Sequence, residues 1–221
     1  MTLEVRLDAV RVGGVRPLPR EGQPSAIDKH EVDGPVQVTT LGLAGDEHGD
    51  PRVHGGPEKA LHFFSVEGYR KLADALPDVD VRIGSLGENL RGVGATEQNV
   101  CVGDVFRLGT ALAQVSRPRS PCWKIDHVLD HDGANLTLAE LRCQGWYLRV
   151  LEEGEVAAGD RMTLVDRHSP AATLDRLLRV QQEHRPDVAE LRELAGATGL
   201  ADQIRRRLLG RAQWLQANPG A

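Results

Sequence analysis

The chain has 221 residues, 40% of them hydrophobic and 27% charged, enough for one large folded domain or one domain with a small appendage. Its formal net charge of −5 argues against a nucleic acid polymer as partner. The opening Met1-Thr2-Leu3-Glu4-Val5-Arg6 lacks the pattern of a secretion signal, and no apolar run approaches the roughly 18 residues needed to span a bilayer, so a cytoplasmic protein with no membrane partner is expected.

Leu3 to Val12 sets Leu3, Val5, Leu7 and Ala9 against polar neighbours and reads as a strand, with a shorter one at Val36–Val38. Between Gly45 and Ala60 the chain collects acids, two histidines, paired glycines and cations. As a metal site this stretch offers His48, His54, nearby His62 and aspartates, but no pair stands at the helical or short-loop spacing of persuasive metal motifs. As an anion cradle it offers backbone N–H groups at Gly55 and Gly56, with charge from Arg52 and Lys59. A plain glycine-rich loop with solvated charges is the third reading. A helix follows from about Val66 to Leu76, placing Val66, Tyr69, Leu72 and Leu76 on one face, and Gly84 to Leu90 is a short polar turn whose Asn89 both donates and accepts. Further strands are expected at Val100–Leu108, Leu112–Val115, Trp146–Leu151 and Met162–Val165. Two of them are entered through Gly-Asp turns, Gly103-Asp104 and Gly159-Asp160. A helix opened by the capping pattern Thr137-x-x-Glu140 and closed by Gly145 lies among them.

The three cysteines, at 101, 122 and 143, form no CxxC pair, which fits a reducing compartment and excludes the usual cysteine-bound iron–sulfur cluster. Cys122 has an unusual setting, Ser116-Arg117-Pro118-Arg119-Ser120-Pro121-Cys122-Trp123-Lys124, where three cations flank one thiol. Nearby positive charge favours thiolate, the form that binds a soft metal or attacks an electrophile. Prolines and arginines do not make a core, which argues against a merely buried thiol.

Near Asp166-Arg167-His168-Ser169-Pro170 the glycine-punctuated, β-branched sequence gives way to leucine, arginine and glutamate at helical spacing. A boundary there divides a β-dominated domain, residues 1–167, from a helical segment, residues 171–218. The segment holds Leu174, Leu177, Leu178 and Gln181 on one helix. A second is capped by Asp187-x-x-Glu190, and a third runs from Ala201 with Ile204, Leu208, Ala212 and Leu215 in register. Helices of about three turns bury little alone, so they are expected to pack on the first domain or on another protein. Arg205-Arg206-Arg207 reads as a solvated helix face.

Taken in order, several segments resemble the MOSC domain family, named for the C-terminal domain of molybdenum cofactor sulfurase. They are Ser25-Ala26-Ile27-Asp28-Lys29, Gly42-Leu43-Ala44-Gly45-Asp46, Val53-His54-Gly55-Gly56-Pro57-Glu58-Lys59-Ala60, Gly87-Glu88-Asn89-Leu90, Val102-Gly103-Asp104, Val115 to Lys124, and Gly145-Trp146-Tyr147. The trailing helices are similar to the extension of a stand-alone bacterial branch whose members reduce hydroxylaminopurine. The resemblance implies an α+β fold: a β-barrel with short helices, plus a small C-terminal three-helix segment. It also implies a pterin-bound molybdenum, the molybdenum cofactor, with Cys122 as the protein ligand to the metal.

Around that ligand, Arg117 and Arg119 are expected to keep Cys122 ionised and to pair with the pterin or its phosphate. Arg52, His54, Gly55, Gly56 and Lys59 are expected to supply the other contacts, with Lys29, Ser116 and Asn89 as further additions. The resemblance implies a reductase of small N-hydroxylated substrates, such as N-hydroxylated purine bases. His54 or His62 is then the candidate proton donor. The chain has no flavin or nicotinamide fingerprint after a strand, so electrons are expected from a separate reductase. A homodimer is compatible with the sequence. Glu47-His48-Gly49-Asp50 departs from the glutamine-alanine-aspartate pattern common in relatives, a change that bears on substrate choice. Two rival readings remain: a sulfur-carrier or cofactor-transfer module using a Cys122 persulfide, and a non-catalytic pterin- or anion-binding protein.

Overall fold

The computed structural model describes residues 3–18, 22–50 and 54–219. Thirteen strands and six α-helices are assigned within them. In chain order, β1 (Glu4–Val12), β2 (Arg16–Pro17), β3 (Pro24–Ser25), β4 (His30–Glu31), β5 (Val36–Thr39) and β6 (Gly42–Leu43) precede β7 (Leu61–Ser65) and α1 (Val66–Ala75). Then come β8 (Leu90–Val93), β9 (Val105–Leu108), β10 (Ala111–Pro118), α2 (Lys124–Val128), α3 (Ala134–Glu140), β11 (Trp146–Glu152), β12 (Gly154–Val156) and β13 (Arg161–Asp166). The chain finishes with α4 (Leu174–Gln182), α5 (Val188–Ala195) and α6 (Asp202–Ala217).

Seven strands form a closed barrel in the order β13-β9-β10-β11-β7-β8-β1, sealed by antiparallel pairing of β1 with β13, in register Glu4 with Thr163 and Val5 with Met162. Closure removes the free sheet edges that would otherwise template aggregation. Every barrel pairing is antiparallel except β7 with β8, which run parallel because α1 carries the chain across between them. The alternation read in β1 puts Val5 and Leu7 in the barrel core; a bulge between Leu7 and Ala9 then shifts the register, so that Val10 and Val12 join that core and Ala9, though fully buried, does not. Phe63 and Trp146 stack at 4.5 Å between ring centroids within the same barrel core. Each such buried side chain contributes about 1.5–3 kcal/mol of transfer free energy.

Leu177, Leu191, Ile204 and Leu208 of the C-terminal helices belong to the same apolar cluster as Phe106 and Val115 of the barrel. The helices therefore dock on the barrel and bury the face that the spacing of leucines marked. Asp187 caps α5 as its position predicts, accepting from the Glu190 N–H. A second cluster, with Phe64, Leu72, Leu86, Ile125 and Leu138, seats α1, α2 and α3 beside the barrel.

Three expectations need correction. The strand expected from Val100 begins only at Val105, because Gly103, at φ +81°, turns the chain while its N–H donates to Val115 O. The Thr137-x-x-Glu140 pattern does not open a helix: Thr137 lies inside α3, whose N-cap is Gly133. The capping is done from a distance by the Asp126 carboxylate, which accepts from the Gly133 and Asn135 N–H groups. That helix also ends at Glu140, well before Gly145. The pattern reading passed over β7, β8 and α2, and it took α6, at 16 residues, for a shorter helix.

Candidate active site

Cys122 sits in the short link between β10 and α2. Two anchors hold that link. Arg119 N–H donates to Gly145 O at 2.9 Å, and Ile125, one residue into α2, is fully buried in the second core cluster. The thiol between them is only partly buried and faces open space on two sides. An outer cleft of about 970 Å³ is lined by Cys122, Trp123 and Arg117, and α6 closes it with Gln203, Ile204 and Arg207. An inner pocket of about 70 Å³ lies on the other side, lined by Lys29, Asp46, His48, His62, Asn89 and Arg119. Cys122, His54, Lys59, Lys124 and Tyr147 line both. His54 Nε2 is 4.0 Å from Cys122 Sγ.

The other two thiols are of a different kind. Burial, reinforced by Asp104, pushes Cys101 up to about 11; burial, reinforced by Glu97, pushes Cys143 up to about 12. Both stay protonated and act as packing.

The inner pocket is polar and internally matched. Lys29 forms an ion pair with Asp46, which also accepts from the Gly13 N–H and, at 2.8 Å, from Asn89 Nδ2. Asn89 donates to Arg11 O as well, and its Oδ1 accepts from the His62 N–H at 3.0 Å. Both ends of the Asn89 amide are therefore occupied by protein, which makes it a strut. Two groups break the balance, and Arg119 is the charged one. Arg119, 5% exposed, has its Nη1 buried without a hydrogen-bond partner. A buried guanidinium N–H without an acceptor costs on the order of 1–3 kcal/mol, more when charged, and an anionic ligand relieves that cost.

The histidines are less basic than free imidazole. Burial, together with Lys124, Arg119 and Lys59, lowers His54 to about 4. Burial first, then Arg119, holds His62 well below its usual value, and its Nε2 is a second buried atom without a partner. Both rings are neutral at pH 7. The imidazolium form expected from an ordinary histidine pKa is therefore scarce in the protein alone.

The MOSC domain model matches residues 50–163. Protein YiiM of Escherichia coli is 36% identical over 211 residues, covering 92% of this chain and 93% of the relative. The chain belongs to the MOSC family. A protein called Reductase from Gibberella moniliformis is 36% identical over 179 residues, which is 80% of this chain but only 31% of that much longer protein. The crystal structure of YiiM from Escherichia coli superposes with a TM-score of 0.79 at 30% identity, covering 96% of this chain and 94% of that one.

MOSC proteins are associated with the molybdenum cofactor, and the residues here fit such a group. A half-buried thiol at the meeting of two cavities offers one soft protein ligand. Arg119 Nη1 is an orphaned donor for an anion beside it. Among the described residues no group of three or more His, Cys, Asp or Glu side chains is placed to hold a metal ion.

Of the residues singled out from the MOSC motifs, Cys122, His54, Lys59, Lys29, His62, Asn89, Gly55, Arg117 and Arg119 all line one or both cavities. Arg52 lies outside the described residues. Ser116 is sealed in the barrel wall, its hydroxyl donating to Glu58 O at 2.5 Å with Tyr147 O at 3.1 Å, and borders neither cavity. Gly56 borders neither one. It starts a short 3-10 turn, Pro57–Lys59, that aims Lys59. Gly55 adopts φ +93°, and a Cβ there would lie 2.9 Å from the His48 ring, so its missing side chain makes room for His48. His48, the distinctive residue of Glu47-His48-Gly49-Asp50, is thereby built into the inner pocket.

The arginine run was misjudged in part. Arg205 donates to the Ala195, Ala197 and Leu200 carbonyls and terminates α5, while Arg207 faces the cleft. Asp46, Tyr147 and Gln203 were passed over as site residues. The glycine-aspartate motif at Gly45-Asp46 and the tyrosine after Trp146 pointed to the first two. Nothing in the helical spacing pointed to Gln203.

Proposed function

We propose that this MOSC protein is a molybdenum-cofactor-dependent reductase of N-hydroxylated compounds, with Cys122 as the protein ligand to the metal. The observation that carries the reading is the placement of Cys122 Sγ, open to both a large cleft and a small polar pocket, with His54 Nε2 at 4.0 Å and the orphaned Arg119 Nη1 on the inner side. Names of relatives lend it support, since one is called Reductase.

When bound, the cofactor would supply oxygen-atom and two-electron chemistry. The overall change is R–NHOH plus two electrons and two protons giving R–NH₂ and water. The chain's own residues hold and orient. Arg119 from the inner pocket and Lys59, which borders both cavities, offer charge to an anionic cofactor, and the Lys29–Asp46–Asn89 network fixes the wall beneath it. His54, neutral at pH 7, is placed to give or accept a hydrogen bond at the sulfur side of the cleft. Electrons come from a separate reductase, because the sequence carries no dinucleotide fingerprint and no cluster-binding cysteine set.

The test is metal content and turnover together. Protein made in molybdate-supplied cells and purified mildly is expected to carry molybdenum near one per chain and to reduce 6-hydroxylaminopurine with a reduced viologen as donor. Cys122→Ala is expected to lose both, with turnover falling at least a hundredfold. Turnover unchanged in Cys122→Ala overturns the reading. Protein with a persulfide on Cys122 and no molybdenum favours a sulfur carrier instead.

A further inference from the structure

Cys122 hangs on a link whose upstream end is fastened to a single turn. The Arg119 N–H donates to Gly145 O at 2.9 Å, and the Arg119 carbonyl accepts from Gln144 Nε2, so both backbone polar groups of Arg119 are tied to residues 144 and 145. That turn is itself gripped. The Gly145 N–H donates to Glu97 Oε1 at 2.8 Å, in the loop between β8 and β9. Gly145 adopts φ +74°, and a Cβ there would lie 2.4 Å from Phe63 O and 2.8 Å from His62 Nε2, so the turn sits hard against β7. Glu97 is fixed in its place: its carbonyl accepts from the Asp175 N–H at 2.8 Å, and Asp175 Oδ1 accepts from Arg142 Nε at 2.7 Å. Arg142 stands three residues before Gly145 at φ +48°, a conformation that residues other than glycine rarely adopt and that persists only where neighbours enforce it. Asp175, in the first turn of α4, ties together the two segments that meet at Gly145.

We infer that Glu97 is a positioning residue for Cys122: through Gly145 and the backbone of Arg119 it fixes where the thiol stands between the two cavities, with Asp175 of α4 as its support. None of Glu97, Gln144, Gly145 and Asp175 borders either cavity, so their effect reaches a ligand only through the link. Glu97 and Gln144 are 4% and 5% exposed, and hydrogen bonds kept from water are the ones costly to leave unmade. Small displacements matter at such a place, since a shift of about 1 Å at a reacting group costs on the order of a hundredfold in rate. The C-terminal helices gain a part in the site by this route, separate from the α6 residues that line the cleft. The inference concerns the thiol itself and stands apart from the reductase reading; where that reading holds, it names what keeps the metal ligand in place.

The test is the rate at which iodoacetamide alkylates Cys122 in cofactor-free protein, followed by peptide mass. Cys101 and Cys143, each 1% exposed, report global opening in the same samples. Glu97→Ala is expected to raise the Cys122 rate about tenfold near neutral pH, and Glu97→Gln, which keeps an acceptor for the Gly145 N–H, to return it to within about twofold of wild type. Leu191→Ala opens a cavity on α5, which borders neither cavity beside the thiol; it is expected to lower the melting temperature comparably and leave the Cys122 rate unchanged. In molybdenum-loaded protein with a reduced viologen, Glu97→Ala is expected to lower kcat for 6-hydroxylaminopurine about tenfold or more, with KM and molybdenum content held. A Cys122 rate or a kcat unmoved by Glu97→Ala overturns the inference. So does a Cys122 rate moved equally by Leu191→Ala, or one that Glu97→Gln fails to restore. Gln144→Ala, which removes only the tie to the Arg119 carbonyl, decides the matter where Glu97→Ala does not fold: an unchanged Cys122 rate there overturns the inference. The expected alkylation pattern in a protein without turnover sustains the positioning role and sinks the reductase reading alone.

Discussion

On the inner side of Cys122 the Lys29 ammonium is matched by Asp46, and Asn89 ties that pair to the strand carrying His62. On the outer side Arg117 is held by the neutral Gln203 Oε1, and Arg207 faces the cleft with no carboxylate partner among the described residues. The Lys29–Asp46–Asn89 part of the first wall is held by protein atoms alone and belongs to the fold, with Arg119 beside it left short of a partner. The second, with unanswered charge, is arranged for something that arrives.

Removing a member of the matched wall should therefore damage the protein, whereas removing an unanswered cation should damage only binding. The largest effect is expected for Asp46→Ala, which strands the buried Lys29 ammonium and the Gly13 and Asn89 donors. A loss of about 3–5 kcal/mol is expected in urea unfolding. A loss under about 1 kcal/mol would show that the inner wall is not held by this pair. Arg119→Ala comes next. It removes an orphaned buried donor, so the cofactor-free protein should melt no lower than wild type while cofactor retention falls on the order of tenfold to a hundredfold. Marked destabilisation of the cofactor-free protein would move Arg119 to the structural side.

The smallest effect concerns pH. Glu97 accepts from the Gly145 N–H at 2.8 Å, and burial raises its pKa above the ordinary carboxylate range. A carboxyl raised in the folded state stabilises fully below its unfolded pKa, and that contribution is lost as pH rises through the folded value. Glu97→Gln keeps the acceptor and removes the titration. Its melting temperature should match wild type near pH 5 and exceed it by a few degrees near pH 8. Identical pH profiles would show that Glu97 is ionised throughout.

Much of the barrel was legible because its strands are half-buried and alternate, as in the first part of β1, or are entered through a Gly-Asp turn, as in β13. β7 was not legible. All five residues of Leu61-His62-Phe63-Phe64-Ser65 are buried, so no alternation shows, and Ser65 doubles as the N-cap of α1. Cys122 was visible from its flanking cations and prolines. The sequence did not show that those cations part company, with Arg117 to the outer cleft and Arg119 to the inner pocket, because β10 ends at Pro118 between them and the two no longer share one strand's alternation. Gln203 was invisible for a plainer reason. Its role depends on how α6 docks, and helical periodicity reports which face is buried but not what stands opposite.

Because β1 is sealed by β13, the two halves of one seam are made about 160 residues apart. At roughly 5–20 residues per second, one edge of β1 waits about 8–30 s on the ribosome before its partner emerges. Glu4 and Arg6, pointing outward from that edge, are the charges that discourage a stranger from pairing there first.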